Sequence, residues 1–376
     1  MEAAIASAST SRAAPRRIVF GSLNGLRFIL AIWIAWFHVG HMFDDAGMGS
    51  IALLRMGAAR VDIFFVLSGF VLTHVYWNRS KVSFSYVDFL VARLARIYPL
   101  YLFALALVAC YIFAGSLVGK SPENPYPLSD LIASLFFLQS FGVTETNAWN
   151  FPAWAVSAEI GGYLLFPVFL AIANLLKRMP WVMLAVGIFS IIAAELFSRH
   201  YFNLPLNTAV TDWGALRGAI MIFCGVCARV AYSGFTRGRE GAIIATMFGI
   251  LIAGASAINE WGLPLIGLGA SFMIMGLARL DHMHEPTGLS HPVMQRLGDY
   301  SYAVFLLHAP IYTLTVEILS MAGITFHPTL LTSFLMVVMV TIIAVPVTNV
   351  VEKPARKYIR RGWENLRHQQ LRHAGL

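Results

Sequence analysis

Charge is what this sequence has least of. Asp, Glu, Lys and Arg together make up 12% of its 376 residues, where a soluble domain carries about a quarter. Hydrophobic residues make up 58% and the mean hydropathy is +0.69. So few charges cannot cover a water-facing surface, which excludes the pair of soluble domains that length alone would allow. The 3 cysteines lack the paired spacing of a zinc module, and no glycine-rich phosphate loop is present. Cys224 and Cys227, three apart in an apolar run, read as packing residues. The first twenty residues, with Arg12, Arg16 and Arg17, have no apolar core ahead of a cleavage site. They are expected to form a cytoplasmic arm and not a cleaved signal peptide.

What is present in quantity is long, uncharged, apolar sequence. Ile97 to Gly119, Gly241 to Asn259, Trp261 to Ala278 and Ile318 to Val351 contain no charged residue. A spanning helix needs about 20 such residues, and in lipid only helices and closed barrels satisfy the backbone. Continuous runs exclude the short alternating segments of a barrel. The expectation is an all-α, polytopic transmembrane bundle of about ten spanning helices, at roughly 26–43, 61–78, 98–118, 153–175, 180–197, 214–232, 241–257, 262–280, 299–321 and 328–350. The stretch 131–141 is too short to cross and suits a re-entrant or interfacial segment. This divides the chain into an arm (1–20), a membrane domain (21–352) and a basic tail (353–376), with the tail expected as an amphipathic helix on the inner surface. With ten spans and both termini inside, 22 of the 27 basic residues face the cytoplasm, leaving Arg55, Arg60, Lys120, Arg199 and Arg217 outside. The formal charge of +8 then follows from topology and attraction to anionic lipid, with no nucleic acid implied.

Ionisable residues inside such a bundle are costly, so each is a functional candidate. Arg27 and His38 lie eleven positions apart in the first span, on one helical face and about 16 Å apart along the axis. His41, a turn further out, reads as interfacial. In NFPAWAVSAEIGGY, Glu159 falls about two turns into the fourth span, at the depth His38 reaches from the other side. An imidazole suits proton transfer near neutral pH, and a neighbouring carboxylate could fix its tautomer. The alternative for Glu159 is a structural ion pair with Arg217. Ser157 points away from Glu159 and is expected to bond backbone. Asp62, at the outer mouth of the second span, is open between helix capping and acceptor binding. Arg93 and Arg96 in VARLARIYPLY share a turn at the inner side, where Pro99 disfavours helix at Tyr98. They read either as a phosphate clamp or as ordinary inside charge. His308 sits about midway through the ninth span.

Taken together, these stretches resemble the integral membrane acyltransferase family, the type-three acyltransferases, which O-acylate bacterial surface polysaccharides and related acceptors. The resemblance runs over roughly 20–360. SLNGLRFILAIWIAWFH is similar to its opening motif, with Arg27 and His38 matching the arginine and essential histidine. RVDIFFVLSGFVLTH resembles the next block, and Arg93 and Arg96 match the arginine pair implicated in the acyl-coenzyme A site. Trp154 and Glu159 match the tryptophan–glutamate block, SYAVFLLHAP the late histidine block, and Glu352 with Pro354 the closing one. Asn24 departs from a common Asp, and Ala92 from an additional Arg.

The resemblance implies a membrane O-acyltransferase of the bacterial inner membrane, with acyl-coenzyme A, acetyl by default, as cytoplasmic co-substrate. No permanently bound cofactor or metal is implied, and the acceptor would be a saccharide or glycoconjugate. His38 would be general base and Glu159 its orienting partner. Arg27, Arg93 and Arg96 would hold coenzyme A phosphates, with Asp62, Trp154, Ser157 and His308 as acceptor or supporting residues. No long outer domain follows the tenth span, so acceptor handling is expected to fall to the bundle. Composition does not separate lipid-facing from subunit-facing helices, and it leaves the oligomeric state open. The rival is a proton-coupled transporter of a glycan or lipid-linked glycan, with His38 and Glu159 as relay. No inverted repeat is evident between the halves, and a transporter has no use for a thioester-donor clamp. Topology is directly testable: cysteines placed by Lys177→Cys and Arg237→Cys should be protected from an impermeant outside reagent, and one at Asn259 should be labelled. Labelling at 177 with protection at 259 would make 131–141 a true crossing.

Overall fold

Lipid leaves a spanning segment no water for its backbone, so the long apolar runs close their hydrogen bonds internally as helices. A computed structural model describes residues 20–43, 59–77, 84–117, 119 and 126–373. The N-terminal arm with Arg12, Arg16 and Arg17, the basic residues Arg55, Arg79, Lys81 and Lys120, and the side chain of His41 lie outside the described residues. The helices are α1 (Gly21–Phe43), α2 (Ala59–Tyr76), α3 (Tyr86–Leu117), α4 (Leu128–Leu135), α5 (Trp154–Leu175), α6 (Pro180–Phe202) and α7 (Gly214–Tyr232). They continue with α8 (Arg239–Asn259), α9 (Leu263–His282), α10 (Pro292–Gly298), α11 (Ser301–Met321), α12 (Leu330–Val347) and α13 (Lys353–His373). Among the described residues, 10 helices are long and apolar enough to cross a membrane: all but α4, α10 and α13. The stretch 131–141 holds the second part of the 8-residue α4 and a run of turns, so it does not cross.

One span differs in kind from its expectation. α3 is 32 residues long and runs through Pro99 instead of starting at Tyr98. Proline removes one backbone donor and crowds the preceding turn, but packed neighbours can absorb that inside a bundle. Arg93 and Arg96 therefore project from within a helix, at fixed positions on its inner turns.

At the centre, α7 packs against α2, α5 and α6, while α11 packs against α1, α3 and α12. The α2–α7 crossing is a backbone contact. A Cβ on Gly69 would stand 2.0 Å from the Ile222 carbonyl oxygen, and one on Gly225 2.0 Å from that of Val66. Small residues let helices approach this closely where no hydrophobic force drives them together. The close crossing holds α2 so that Ser68 meets α5 and Asp62 meets α7. Past α12, a π turn at Thr348–Glu352 leads into α13. Trp363 Nε1 donates to Asp88 of α3 at 2.7 Å, and Arg367 pairs with the same carboxylate. The tail is thus docked onto the bundle. Gly225→Ala should lower the thermal midpoint in detergent, by the equivalent of about 1–3 kcal/mol of overpacking. Gly362→Ala, where a Cβ meets nothing within 4 Å, is the control and should leave it unchanged.

Candidate active site

Arg27, Arg93 and Arg96 line one cavity and His38 another, and the two adjoin inside the bundle. The first, about 230 Å³, is lined by Arg27, Arg93, Arg96, Ser68, Glu159 and Tyr163 among others. Arg27 comes from α1, and Arg93 and Arg96 project from one turn of α3, with Arg93 5.8 Å from the ring centre of Tyr76. The charges acting on Arg27 are those of Arg96 and Arg93, offset by Glu159. Glu159 accepts a hydrogen bond from Ser68 Oγ at 2.5 Å. Three guanidiniums against one carboxylate make this cavity a receptor for anionic oxygen atoms, whose geometry the arginine fork matches.

It opens outward into a vestibule of about 440 Å³ between the start of α3 and α13, sharing Val75, Tyr76, Arg93 and Arg96 with it. Inward it shares Val61 and Phe305 with the second cavity, about 170 Å³, lined by His38, Phe37, Trp154, Pro152 and Arg217 among others. Val61 and Phe305 thus form a neck between an arginine end and an imidazole end.

At the neck's far side, His38 Nδ1 and His308 Nε2 are 2.7 Å apart. Their ring planes lie within 8° and their centroids are 4.9 Å apart. A nitrogen–nitrogen approach so much shorter than the centroid separation means the rings meet edge to edge in one plane, as a hydrogen bond requires. The Nδ1 of His308 faces the carbonyls of Val304 and Phe305 of its own helix but forms no well-shaped bond with either. Proline helps place this ring. Pro310 has no N–H to donate to the carbonyl of Leu306, and Asn150 Nδ2 donates to it instead, at 3.1 Å. Tyr312 adds a hydrogen bond to the Ala35 carbonyl of α1 at 3.2 Å.

Several expectations are corrected. Glu159 does not sit beside the imidazole: it bonds Ser68 in the arginine cavity, while His38 is bonded to His308 in the other. Helical rise gives depth but not the direction a side chain faces across the bundle. The alternative pairing of Glu159 with Arg217 fails too, because Arg217 is bidentate to Asp62 at 2.8 Å for each bond. Asp62 is therefore neither a helix cap nor an open acceptor ligand. Both partners are buried, and Arg217 also donates to the carbonyls of Asn207 and Ala209. Trp154 lies against this Arg217, 5.1 Å from ring centre to guanidinium.

Other expectations hold. Ser157 donates to the Phe137 carbonyl at 2.6 Å, so it bonds backbone. Cys224 and Cys227 are buried between helices, Cys227 against Gly187. Asn24 donates to the Gln295 carbonyl and to Asp299. The Asp common at that position in the resembled family would face the Asp299 carboxylate here, which gives the departure a physical reason. Ser68, Tyr163 and Asn150 escaped the reading of the sequence, since nothing local marks a hydroxyl or amide as facing a cavity.

Comparison with known proteins matches residues 20–348 to a family described as the acyltransferase domain. Among curated relatives, the acyltransferase MdmB of Streptomyces mycarofaciens is 28% identical over 321 residues, covering 78% of this chain and 79% of its own. The exopolysaccharide production protein ExoZ of Rhizobium meliloti is 27% identical over 321 residues, covering 82% and 91%. The peptidoglycan O-acetyltransferase OatA of Listeria monocytogenes is 24% identical over 369 residues, covering 89% of this chain but only 56% of its own length. No solved structure matches the chain.

The Asp62–Arg217 pair makes a prediction independent of chemistry. Removing one member leaves a buried charge uncompensated, which costs about 3–5 kcal/mol, whereas removing both costs less. Thermal unfolding of the Asp62→Ala, Arg217→Ala and doubly substituted proteins should show each single change to be worse than the double. An additive cycle would mean the two groups are not coupled.

Proposed function

The chain belongs to the acyltransferase domain family, and on that premise we propose that it moves an acyl group from acyl-coenzyme A to a hydroxyl of a saccharide or glycoconjugate. The observation that carries this reading is a row of three adjacent cavities, sharing Val75, Tyr76, Arg93 and Arg96 and then Val61 and Phe305, from the arginine cluster to His38. Coenzyme A has a polyanionic head and an uncharged arm ending in the thioester. Arg27, Arg93 and Arg96 hold phosphate oxygens at the wide end, and the arm reaches the neck. The basic bias, 22 of 27 residues when both termini are counted inside, supports an arginine end on the cytoplasmic side, where acyl-coenzyme A is made. The names of ExoZ and OatA point to saccharide polymers as acceptors and, for OatA, to acetyl as the acyl group. Membership in an acyltransferase family removes the ground for a transporter.

The chemistry follows from the hydrogen bond between the two rings. In the proposed tautomer His308 keeps its proton on Nδ1, on the side of the Val304 and Phe305 carbonyls, and its Nε2 accepts from His38 Nδ1–H. That tautomer puts the basic lone pair on His38 Nε2. The acceptor hydroxyl gives its proton to this nitrogen as its oxygen attacks the thioester carbonyl. The carbon–oxygen bond forms, the carbon–sulfur bond breaks, and the imidazolium returns the proton to the departing thiolate. His308 is a positioning residue, in the place the sequence had suggested for Glu159. Glu159, held by Ser68, balances charge around Arg27.

In the purified protein, His38→Ala should lower the rate of coenzyme A thiol release about 10²–10⁴-fold while coenzyme A still binds. His308→Ala should lower kcat with little change in KM, and His308→Gln, which keeps an acceptor, should recover part of the loss. Lysine at both 93 and 96 should instead raise KM, because a point charge replaces a fork. Full turnover without His38 would end the general-base assignment.

A further inference from the structure

The vestibule at the arginine end is the largest of the three cavities described, and four of its seven charged lining residues come from a segment outside the matched acyltransferase domain. Arg93 and Arg96 line it from α3, and Arg356, Arg360, Trp363, Glu364 and Arg367 line it from α13. The family match ends at residue 348, before α13 begins. The lining positions 356, 360, 363, 364 and 367 fall on one face of that helix at 100° per residue. Tyr358 and Leu366, off this face, are exposed. Spacing in α13 therefore turns a basic strip toward the bundle.

The acidic groups here are largely engaged. Asp88 is occupied by Trp363 and Arg367. Glu352, buried at the π turn, lies 3.9 Å from Arg356 and feels the charge of Arg96. Glu364 is the remaining carboxylate on the wall. Arg93, Arg96, Arg356 and Arg360 thus face the same space with fewer negative partners than their number. An elongated polyanion fits that balance. The shared lining at Val75, Tyr76, Arg93 and Arg96 lets its uncharged end pass inward.

We propose that α13 completes the donor site, with Arg356 and Arg360 binding the phosphorylated adenosine end of acyl-coenzyme A and Trp363 forming the wall against its base. The proposal rests on the acyl-coenzyme A reading above and extends it to the α13 wall of the vestibule, opposite Arg93 and Arg96 and beyond the lining that includes Arg27. Guanidiniums supply forked bonds to phosphate, and an indole or guanidinium plane tolerates a stacked base. The same phosphate chemistry could come from anionic lipid headgroups at the membrane surface, so the experiment separates the two sources. Because α13 is docked through Trp363, Arg367 and Asp88, changes at 356 and 360 leave its anchor in place.

The full chain with Arg356→Ala and Arg360→Ala, in nanodiscs of zwitterionic phosphatidylcholine, is compared with wild type for release of thiol from acetyl-coenzyme A, acetyl-3′-dephospho-coenzyme A and S-acetyl-pantetheine. Loss of charge-assisted phosphate bonds should raise KM for acetyl-coenzyme A by at least about tenfold with kcat nearly unchanged. The wild-type preference for the 3′-phosphorylated donor should shrink, and S-acetyl-pantetheine, which lacks the nucleotide, should be used equally by both proteins. Lysine at both positions should give a smaller rise, and it supplies the readout if the alanine pair does not accumulate. An unchanged KM in an active protein overturns the proposal and leaves the acyltransferase reading standing. A difference confined to nanodiscs containing phosphatidylglycerol makes the strip a lipid contact and also overturns it. If wild type neither binds coenzyme A nor releases thiol from its acetyl ester, the donor reading fails and the subsite with it.

Discussion

Three guanidiniums gathered inside an apolar bundle set the terms for the rest of this structure. Arg27, Arg93 and Arg96 repel one another and are each half-buried, and neither cost is recovered by packing. The bundle offsets them with Glu159, itself held by Ser68, with the buried Glu352 near Arg96, and with the ring of Tyr76. Compensation is incomplete: the cavity keeps an excess of positive charge. An excess held at such expense is well suited to a cavity that an anion enters, and the architecture around it supplies the way in.

The two ends of the path are built on different physics. The arginine end is wide, charged and closed partly by an amphipathic helix. The imidazole end is narrow and lined by Trp154, Phe37 and Pro152, with its single buried ion pair, Asp62 and Arg217, spent on fastening α2 to α7. The rings of Phe37, Phe151 and Phe305 lie against the His38–His308 pair, surroundings that strengthen a hydrogen bond, and the missing donor at Pro310 is made good by Asn150. Val61 and Phe305, which line both cavities, stand between the arginine cluster and His38.

The class of fold, the number of spans and the end at which positive charge gathers were all legible from the residues alone, because hydrophobic length and basic bias are one-dimensional signals. A fixed rise per residue separates Arg27 from His38 along α1, but Glu159, expected at the level of His38, shares its cavity with Arg27. Which neighbour each side chain meets was not legible, because that depends on how helices rotate and cross. His38 therefore met His308 and not Glu159, and Arg217 met Asp62. A local rule about the residue before Pro99 gave way to the packing of a 32-residue helix. The docking of α13 through Asp88 was likewise invisible, since Asp88 and Trp363 lie 275 positions apart. Hydrophobic length alone was enough to specify a ten-span bundle and to show which spans carry ionisable residues. Only the tertiary structure decided their partners, because the energy of burying a charge is settled by what surrounds it in three dimensions and not by its place along the chain.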